Sequence, residues 1–266
     1  MVLLVVFGLN GCEGRTDPSK ESSSVEESVE KTVSKTIEQS KASSIETLSE
    51  QTASETPETD GGMGDVLDVF PLQEENRLYL SKSGNRYALN LLMDNHIEKI
   101  HEDSSISYIN PSPNRKKIIF NNYEWEVTAK VYLYDVESKQ KKELVMNLPE
   151  FRTASYMGWL DDRYFLFIVQ FDQGTVVRGG DLHFFDTETN QYRKIIGTEM
   201  ERIEICSFEL YENDIILLQC VLHDEALEHT DNQYYVVTVE EIKNLISNGK
   251  EMVLKQANAL YKQNRK

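Results

Sequence analysis

From about residue 66 onward, short apolar runs alternate with clusters of turn-forming residues, and the runs are rich in Tyr, Phe, Ile, Val and Leu. Runs of this length and composition predict β-strands rather than helices. One unit recurs about every fifty residues. Its first copy is Tyr108-Ile-Asn-Pro-Ser-Pro-Asn-Arg-Lys-Lys-Ile-Ile-Phe120, a polar loop, then Val131-Tyr-Leu-Tyr-Asp-Val-Glu-Ser-Lys139. The second runs from Tyr156 to Phe167 and resumes at Asp181-Leu-His-Phe-Phe-Asp-Thr-Glu-Thr189; a weaker third runs from Phe208 to Leu218 and resumes at Gln233–Val239. Asp135, Asp186 and Thr238 hold equivalent places, 51 and 52 residues apart. A turn cluster precedes each first strand-forming run: Pro113-Asn114, Asp161-Asp162 and Asn213-Asp214. A half-unit, Arg77–Leu80 and Tyr87–Met93 with the turn Asp94-Asn95-His96, stands ahead of the three. Near the C-terminus the period changes. Val239, Ile242, Leu245 and Ile246 share one helical face and Asn248-Gly249 ends it, with a second short helix expected from about Lys250 to Gln263.

A turn like Ser112-Pro113-Asn114-Arg115-Lys116 leading into a strand, with an aromatic strand ending in Asp135 or Asp186 before a tight turn, resembles the WD40-like repeats of TolB-type β-propellers. The resemblance covers some 140 residues, with Asn114-Arg115 in place of the usual Asp-Gly, and with neither the proline nor the aspartate in the third copy. It implies an all-β, antiparallel, propeller-like repeat of about four blade-like sheets, and the short C-terminal helix read from the spacing is expected to cap an exposed sheet edge. Spacing alone does not show ring closure, and an open β-meander or a sandwich would use the same hairpins.

The N-terminal 65 residues have another character. Met1 to Gly11 carry no charge and are mostly apolar, too short to span a bilayer and suited to the hydrophobic part of a secretory signal. Leu9-Asn10-Gly11-Cys12 resembles the lipobox of bacterial lipoproteins, although Asn10 is less usual there and no Lys or Arg precedes the apolar run. The resemblance implies a signal peptide over 1–11, cleavage before Cys12, and a diacyl lipid on Cys12. Two chains at about 0.8 kcal/mol per buried methylene would hold the chain stably at the extracytoplasmic face of the cell membrane. Residues 13–65 contain 18 Ser or Thr among 53 positions, 13 acidic against 5 basic side chains and no aromatic residue. Such a composition predicts a disordered linker, with an average reach of about 40 Å. The expected organisation is therefore signal peptide 1–11, lipid-anchored linker 12–65 and β-rich domain 66–266. Together, lipobox, acidic linker and domain resemble Gram-positive lipoproteins that carry a domain of unknown function.

Charge and candidate chemistry narrow the function. The net charge of −17 divides into −8 on the linker and −9 on the domain. An acidic domain without a basic tract argues against nucleic acid, which is held through Lys and Arg on phosphates. No Gly-x-Ser-x-Gly elbow, Cys-His signature or phosphate-cradling glycine loop is present in the sequence. No cofactor is expected. His223-Asp224-Glu225 with Glu228-His229 gathers potential metal ligands, but at a spacing that fits a polar loop better than a metal site. A three-residue turn at Glu212–Asp214 would set Cys206 opposite Cys220, leaving either a disulfide or two reduced thiols open. Two long loops are recognition candidates: 121–128 with Tyr123 and Trp125, and 170–181 with Arg178-Gly179-Gly180. The reading is a non-enzymatic envelope module for a protein, peptide or glycan, against the alternative of an extracellular hydrolase or metal-dependent enzyme.

Overall fold

The computed structural model describes residues 64–124, 127–173, 179–198, 202–211, 214–224, 230–255 and the backbone of 261–263. Cys12, residues 13–63 of the linker, Trp125, Arg178, Glu225 and His229 lie outside the described residues, and the last linker residue, Asp65, already belongs to a strand.

The fold is all-β and antiparallel, in four blades that follow one another along the chain. The first is a meander of β1 (Asp65–Pro71), β2 (Arg77–Ser83), β3 (Arg86–Met93) and β4 (His96–Asp103). The second is β5 (Ser107–Pro111), β6 (Lys117–Asn121), β7 (Val131–Asp135) and β8 (Gln140–Leu144). The third is β9 (Arg152–Trp159), β10 (Tyr164–Phe171), β11 (Gly180–Asp186) and β12 (Gln191–Gly197). The fourth has β13 (Ile203–Tyr211), β14 (Ile215–His223) and β15 (Thr230–Thr238), and its fourth strand is supplied from the C-terminus by β17 (Tyr261–Gln263), antiparallel to β15. Between them come the helix α1 (Val239–Asn248) and β16 (Met252–Val253), which adds in parallel to β12. The short helix expected after Lys250 is thus corrected: residues 252–253 and 261–263 are strands that lengthen two sheets. An open edge with unpaired N–H and C=O groups recruits such segments more strongly than a one-turn helix forms alone.

The half-unit seen in the sequence is a complete blade. Its β3–β4 turn is Asp94-Asn95, with φ of 53° and 59°, the two-residue hairpin geometry that Asn and Asp tolerate. The strand missed in the sequence, β1, is acidic and mostly exposed.

Three apolar cores lie between consecutive blades. Alternate residues of a strand point to opposite faces, so a blade packed on both sides needs an unbroken apolar run. In β6, Ile118 and Phe120 enter the core shared with the first blade, while Ile119 enters the one shared with the third. In β10, Phe165, Phe167 and Val169 face the second blade, and Leu166 and Ile168 face the fourth. A two-sheet sandwich would have one core, so this serial packing matches the propeller-like expectation instead. The third and fourth blades also touch through backbone, at Gly180 and Ile205. Among the described residues, no strand of the first blade pairs with the fourth.

The equivalent residues of the repeat do equivalent work. The Asp135 carboxylate accepts the Ser138 backbone N–H at 2.8 Å, and that of Asp186 accepts those of Glu188 and Thr189 at 2.9 and 3.4 Å. Each closes a hairpin turn. At the same place in the fourth blade, the Thr238 hydroxyl accepts the N–H of Glu241 at 3.1 Å, and the Glu241 carboxylate accepts the N–H of Thr238 at 2.7 Å. This reciprocal pair is a capping box, so a helix starts where the other blades turn. Gly249, at φ 65°, ends the helix in the left-handed region, and Arg193 donates to the carbonyls of Leu245 and Ile246 at 3.0 and 3.3 Å. Ile242 is buried in the core between the third and fourth blades.

Candidate functional site

Every blade's first strand carries one extra residue relative to its partner. The bulges fall at Leu67 in β1, at Tyr108-Ile109 in β5, at Tyr156 in β9 and at Cys206 in β13. A bulge kinks the strand and re-aims side chains, often beside a binding site. Two of these residues pay for it in strain: Tyr108 and Tyr156 have φ of 48° and 40°, a region that ring-bearing side chains rarely adopt.

Their rings form part of a row. Tyr123 lies 6.4 Å from Tyr108, Tyr108 lies 5.7 Å from Tyr156, and Tyr156 lies 5.2 Å from Phe208, centroid to centroid. Three of the four line a cavity of about 440 Å³ that spans the first strands of the second, third and fourth blades; Asn110, Trp159 and Leu210 complete its main walls. Burial pushes the Tyr108 and Tyr156 hydroxyls above the usual tyrosine range, with the charge of Glu209 adding to the effect at Tyr156. The walls are fixed by hydrogen bonds between blades. The Trp159 indole N–H donates to the Asn110 carbonyl at 2.9 Å, and the Asn110 amide donates to the Met157 carbonyl at 2.8 Å. Gly158 leaves space for Phe208, since a Cβ there would lie 3.0 Å from its ring.

The two loops singled out in the sequence meet at one end of this row. Gln170 donates to the Tyr123 hydroxyl at 3.1 Å, and the Thr128 hydroxyl donates to Asp172 at 2.9 Å. Tyr123 therefore sits at the junction of both loops and at the head of the aromatic row, half-buried. Gly179 and Gly180 are required by packing: a Cβ on Gly180 would stand 1.9 Å from the Val169 carbonyl oxygen, and one on Gly179 2.5 Å from that of Ile205.

The histidine cluster is corrected in part. His223 is not in the polar loop; it ends β14, its side chain is buried, and its Nε2 lies 3.3 Å from Glu204 Oε2. That carboxylate also accepts the Gly179 N–H at 3.1 Å. No group of three or more His, Cys, Asp or Glu placed to hold a metal occurs among the described residues. The cysteine register is corrected too. The pairing expected from the turn holds from Tyr211↔Ile215 to Ser207↔Gln219, but Cys206 is the bulged residue and Ile205 stands opposite Cys220. The two are not joined in a disulfide, and burial, then proximity to Cys206, pushes the Cys220 thiol upward.

The sequence singles out Tyr123, which stands at the head of the row, but not Tyr108, Tyr156 or Phe208, although all three open the repeat copies quoted above. The signal was there: an aromatic residue at the head of each unit, where a buried strand needs none in particular.

Residues 116–239 match the family model of a domain of unknown function, DUF4652. The matched segment takes in β6 to β15, and with them Tyr156 and Phe208; Tyr108 precedes it. No curated protein matches the chain. Among solved structures, one named as a conserved lipoprotein of Clostridium novyi NT is similar at 21% identity and a TM-score of 0.46, covering 50% of this chain and 87% of that one. The β-propeller domain of the Trilobed protease from Pyrococcus furiosus is similar at 16% identity and a TM-score of 0.44, over 67% and 56% of the two chains. TolB from Acinetobacter baumannii is similar at 16% identity and a TM-score of 0.40, over 62% and 38%. The chain thus spans under two thirds of the latter two. Among the described residues, no helix is long and apolar enough to cross a membrane.

Proposed function

We propose that this domain is a non-enzymatic binding module of the cell envelope, taking a protein, peptide or glycan in the cavity between its first strands. A lipid on Cys12 would present it beyond the membrane on the linker. The observation that carries the reading is the pair of strained bulges. Holding Tyr108 and Tyr156 at positive φ costs on the order of 1–3 kcal/mol each, and such strain persists where a side chain is needed in a set orientation. Here it lines a concave, aromatic-walled cavity with a few polar groups, the usual make-up of a ligand site.

The test is retention of the full chain on peptide and glycan arrays, compared with Tyr156→Asn. Asn tolerates left-handed backbone, so the variant removes the ring without adding strain. The module reading expects retention by a subset of probes that the variant loses; retention by none, or an unchanged pattern in the variant, counts against it. The anchor is tested separately by incorporation of labelled fatty acid, expected in the wild type and lost in Cys12→Ser, with the domain still folded. Label persisting in that variant would refute lipidation at Cys12.

A further inference from the structure

The lining of the cavity narrows the ligand class, resting on the binding-module reading above. We propose that the cavity takes an uncharged aromatic side chain, a Phe, Tyr or Trp presented by an extended segment of a polypeptide partner.

None of the ten residues lining the cavity carries a charge, in a chain of which 27% is charged. A charged group entering would leave water and meet no opposite charge on the wall, which is strongly unfavourable. The side-chain N–H donors of the wall are also committed within the protein. The Trp159 indole donates to the Asn110 carbonyl at 2.9 Å, and the Asn110 amide donates to the carbonyls of Met157 and Tyr108 at 2.8 and 3.1 Å. Trp159 is 7% exposed, so it presents no open indole face on which a sugar ring could lie. A glycan would therefore bury several hydroxyls with few partners for them.

The apolar guest that suits the remaining surface is a ring. Burial of an aliphatic group is non-directional and gains nothing from a set orientation of the wall. Aromatic pairs are directional, because ring edges are positive and ring faces negative, and edge-to-face contacts are preferred. Tyr108 and Tyr156, both held at positive φ, stand 5.7 Å apart and are inclined by 58°. Behind them Tyr156 meets Phe208 at 5.2 Å and 70°, with Phe208 buried in the core between the third and fourth blades. Phe208 is thus a backing, and the two half-buried tyrosines are the rings a guest can touch. A guest ring extends the inclined series, and the strained backbone fixes the direction in which it extends. Met157, also on the wall, adds a thioether, which makes favourable contacts with ring edges.

The mouth lies beside Pro113 and Leu210, both exposed, so a side chain can enter while its backbone stays outside. The volume of about 440 Å³ is near the lower end of ligand pockets, roughly 300–1,000 Å³, which suits one large side chain better than a folded segment.

The experiment is ligand-detected NMR titration of the full chain with blocked pentapeptides carrying Phe, Leu, Lys or Glu between pairs of glycines, and with chitotriose. It is repeated for Tyr156→Asn, Leu210→Ser and the control Val145→Ser, which is exposed and outside the cavity. The Phe peptide is expected to bind, the Leu peptide roughly three- to tenfold more weakly, and the Lys and Glu peptides and chitotriose not to bind. Tyr156→Asn should abolish binding of the Phe peptide and Leu210→Ser weaken it about threefold or more, with Val145→Ser within about twofold. Because Leu210 is exposed, its variant keeps the proposal testable even if Tyr156→Asn folds poorly. Equal binding of the Leu and Phe peptides would overturn the aromatic class, as would equal losses in Leu210→Ser and Val145→Ser. Binding of a charged peptide or of chitotriose that Tyr156→Asn abolishes would overturn the aromatic class and leave the module reading standing. If no probe binds, the aromatic class falls, and the module reading is decided by the arrays.

Discussion

Asp186 shows how much one residue of the repeat does. It ends β11, caps the following turn, and forms a two-point contact with Arg163 at 3.0 and 2.7 Å. The Arg163 guanidinium beside it, with the turn N–H groups, holds its carboxyl down to about 2. A carboxyl with a depressed folded pKa adds stability that is present above its unfolded value near 4 and is lost as pH falls through the folded value. Wild-type urea stability is therefore expected to fall between about pH 4 and pH 2, and Asp186→Asn to flatten that part of the profile while losing about 1 kcal/mol at neutral pH. An unchanged acid profile in the variant would contradict this. Gly180 is the second residue with a sharp expectation. Its absent Cβ lets the third and fourth blades share backbone, and Gly180→Ala should cost about 2–3 kcal/mol in the same urea measurement. The role of Asp186 was legible because an aspartate before a turn has a direct use, accepting N–H groups two and three residues on. The need for Gly180 was not, since the carbonyl it faces belongs to a neighbouring strand.

At the scale of elements, the repeat was legible and its irregularities were not. Blades two and three announced themselves through doubled apolar runs, because a strand buried on both faces leaves no polar alternation. The bulges left no mark: Tyr156 and Cys206 are not glycine, and no local rule places an extra residue there. That single residue moved Cys206 out of register with Cys220. The strand β1 was missed for a related reason, since most of its side chains are exposed and its first residue, Asp65, read as the end of the linker. α1 was legible at both ends, from its apolar spacing and Gly249. Its N-terminal cap supplies a check: Thr238→Ala removes the side-chain acceptor for the Glu241 N–H and should cost about 1 kcal/mol, read as a lower urea midpoint with unchanged slope. No change in midpoint would mean that packing of Ile242 alone holds the helix.

At the scale of the molecule, serial packing of the blades is what makes a site. Each core fixes two neighbouring blades, and the cavity lies where the first strands of three of them converge, with Tyr123 carrying the row toward the two long loops. The sequence predicted the blades and singled out Tyr123, which stands at the head of the row. It could not predict the convergence, which depends on how Tyr108, Tyr156 and Phe208, 48 and 52 residues apart in sequence, lie in space. This convergence, rather than another exposed apolar point, is where the proposed ligand would be met. The direct measurement is a photo-crosslinking amino acid placed in living cells at Leu210, on the cavity wall, and separately at Val145, the most exposed large apolar residue among the described residues, 78% accessible and outside the cavity. A discrete covalent adduct is expected from position 210, lost with Tyr156→Asn, and none from position 145. Adducts of equal yield from both positions, or from 145 alone, would contradict it.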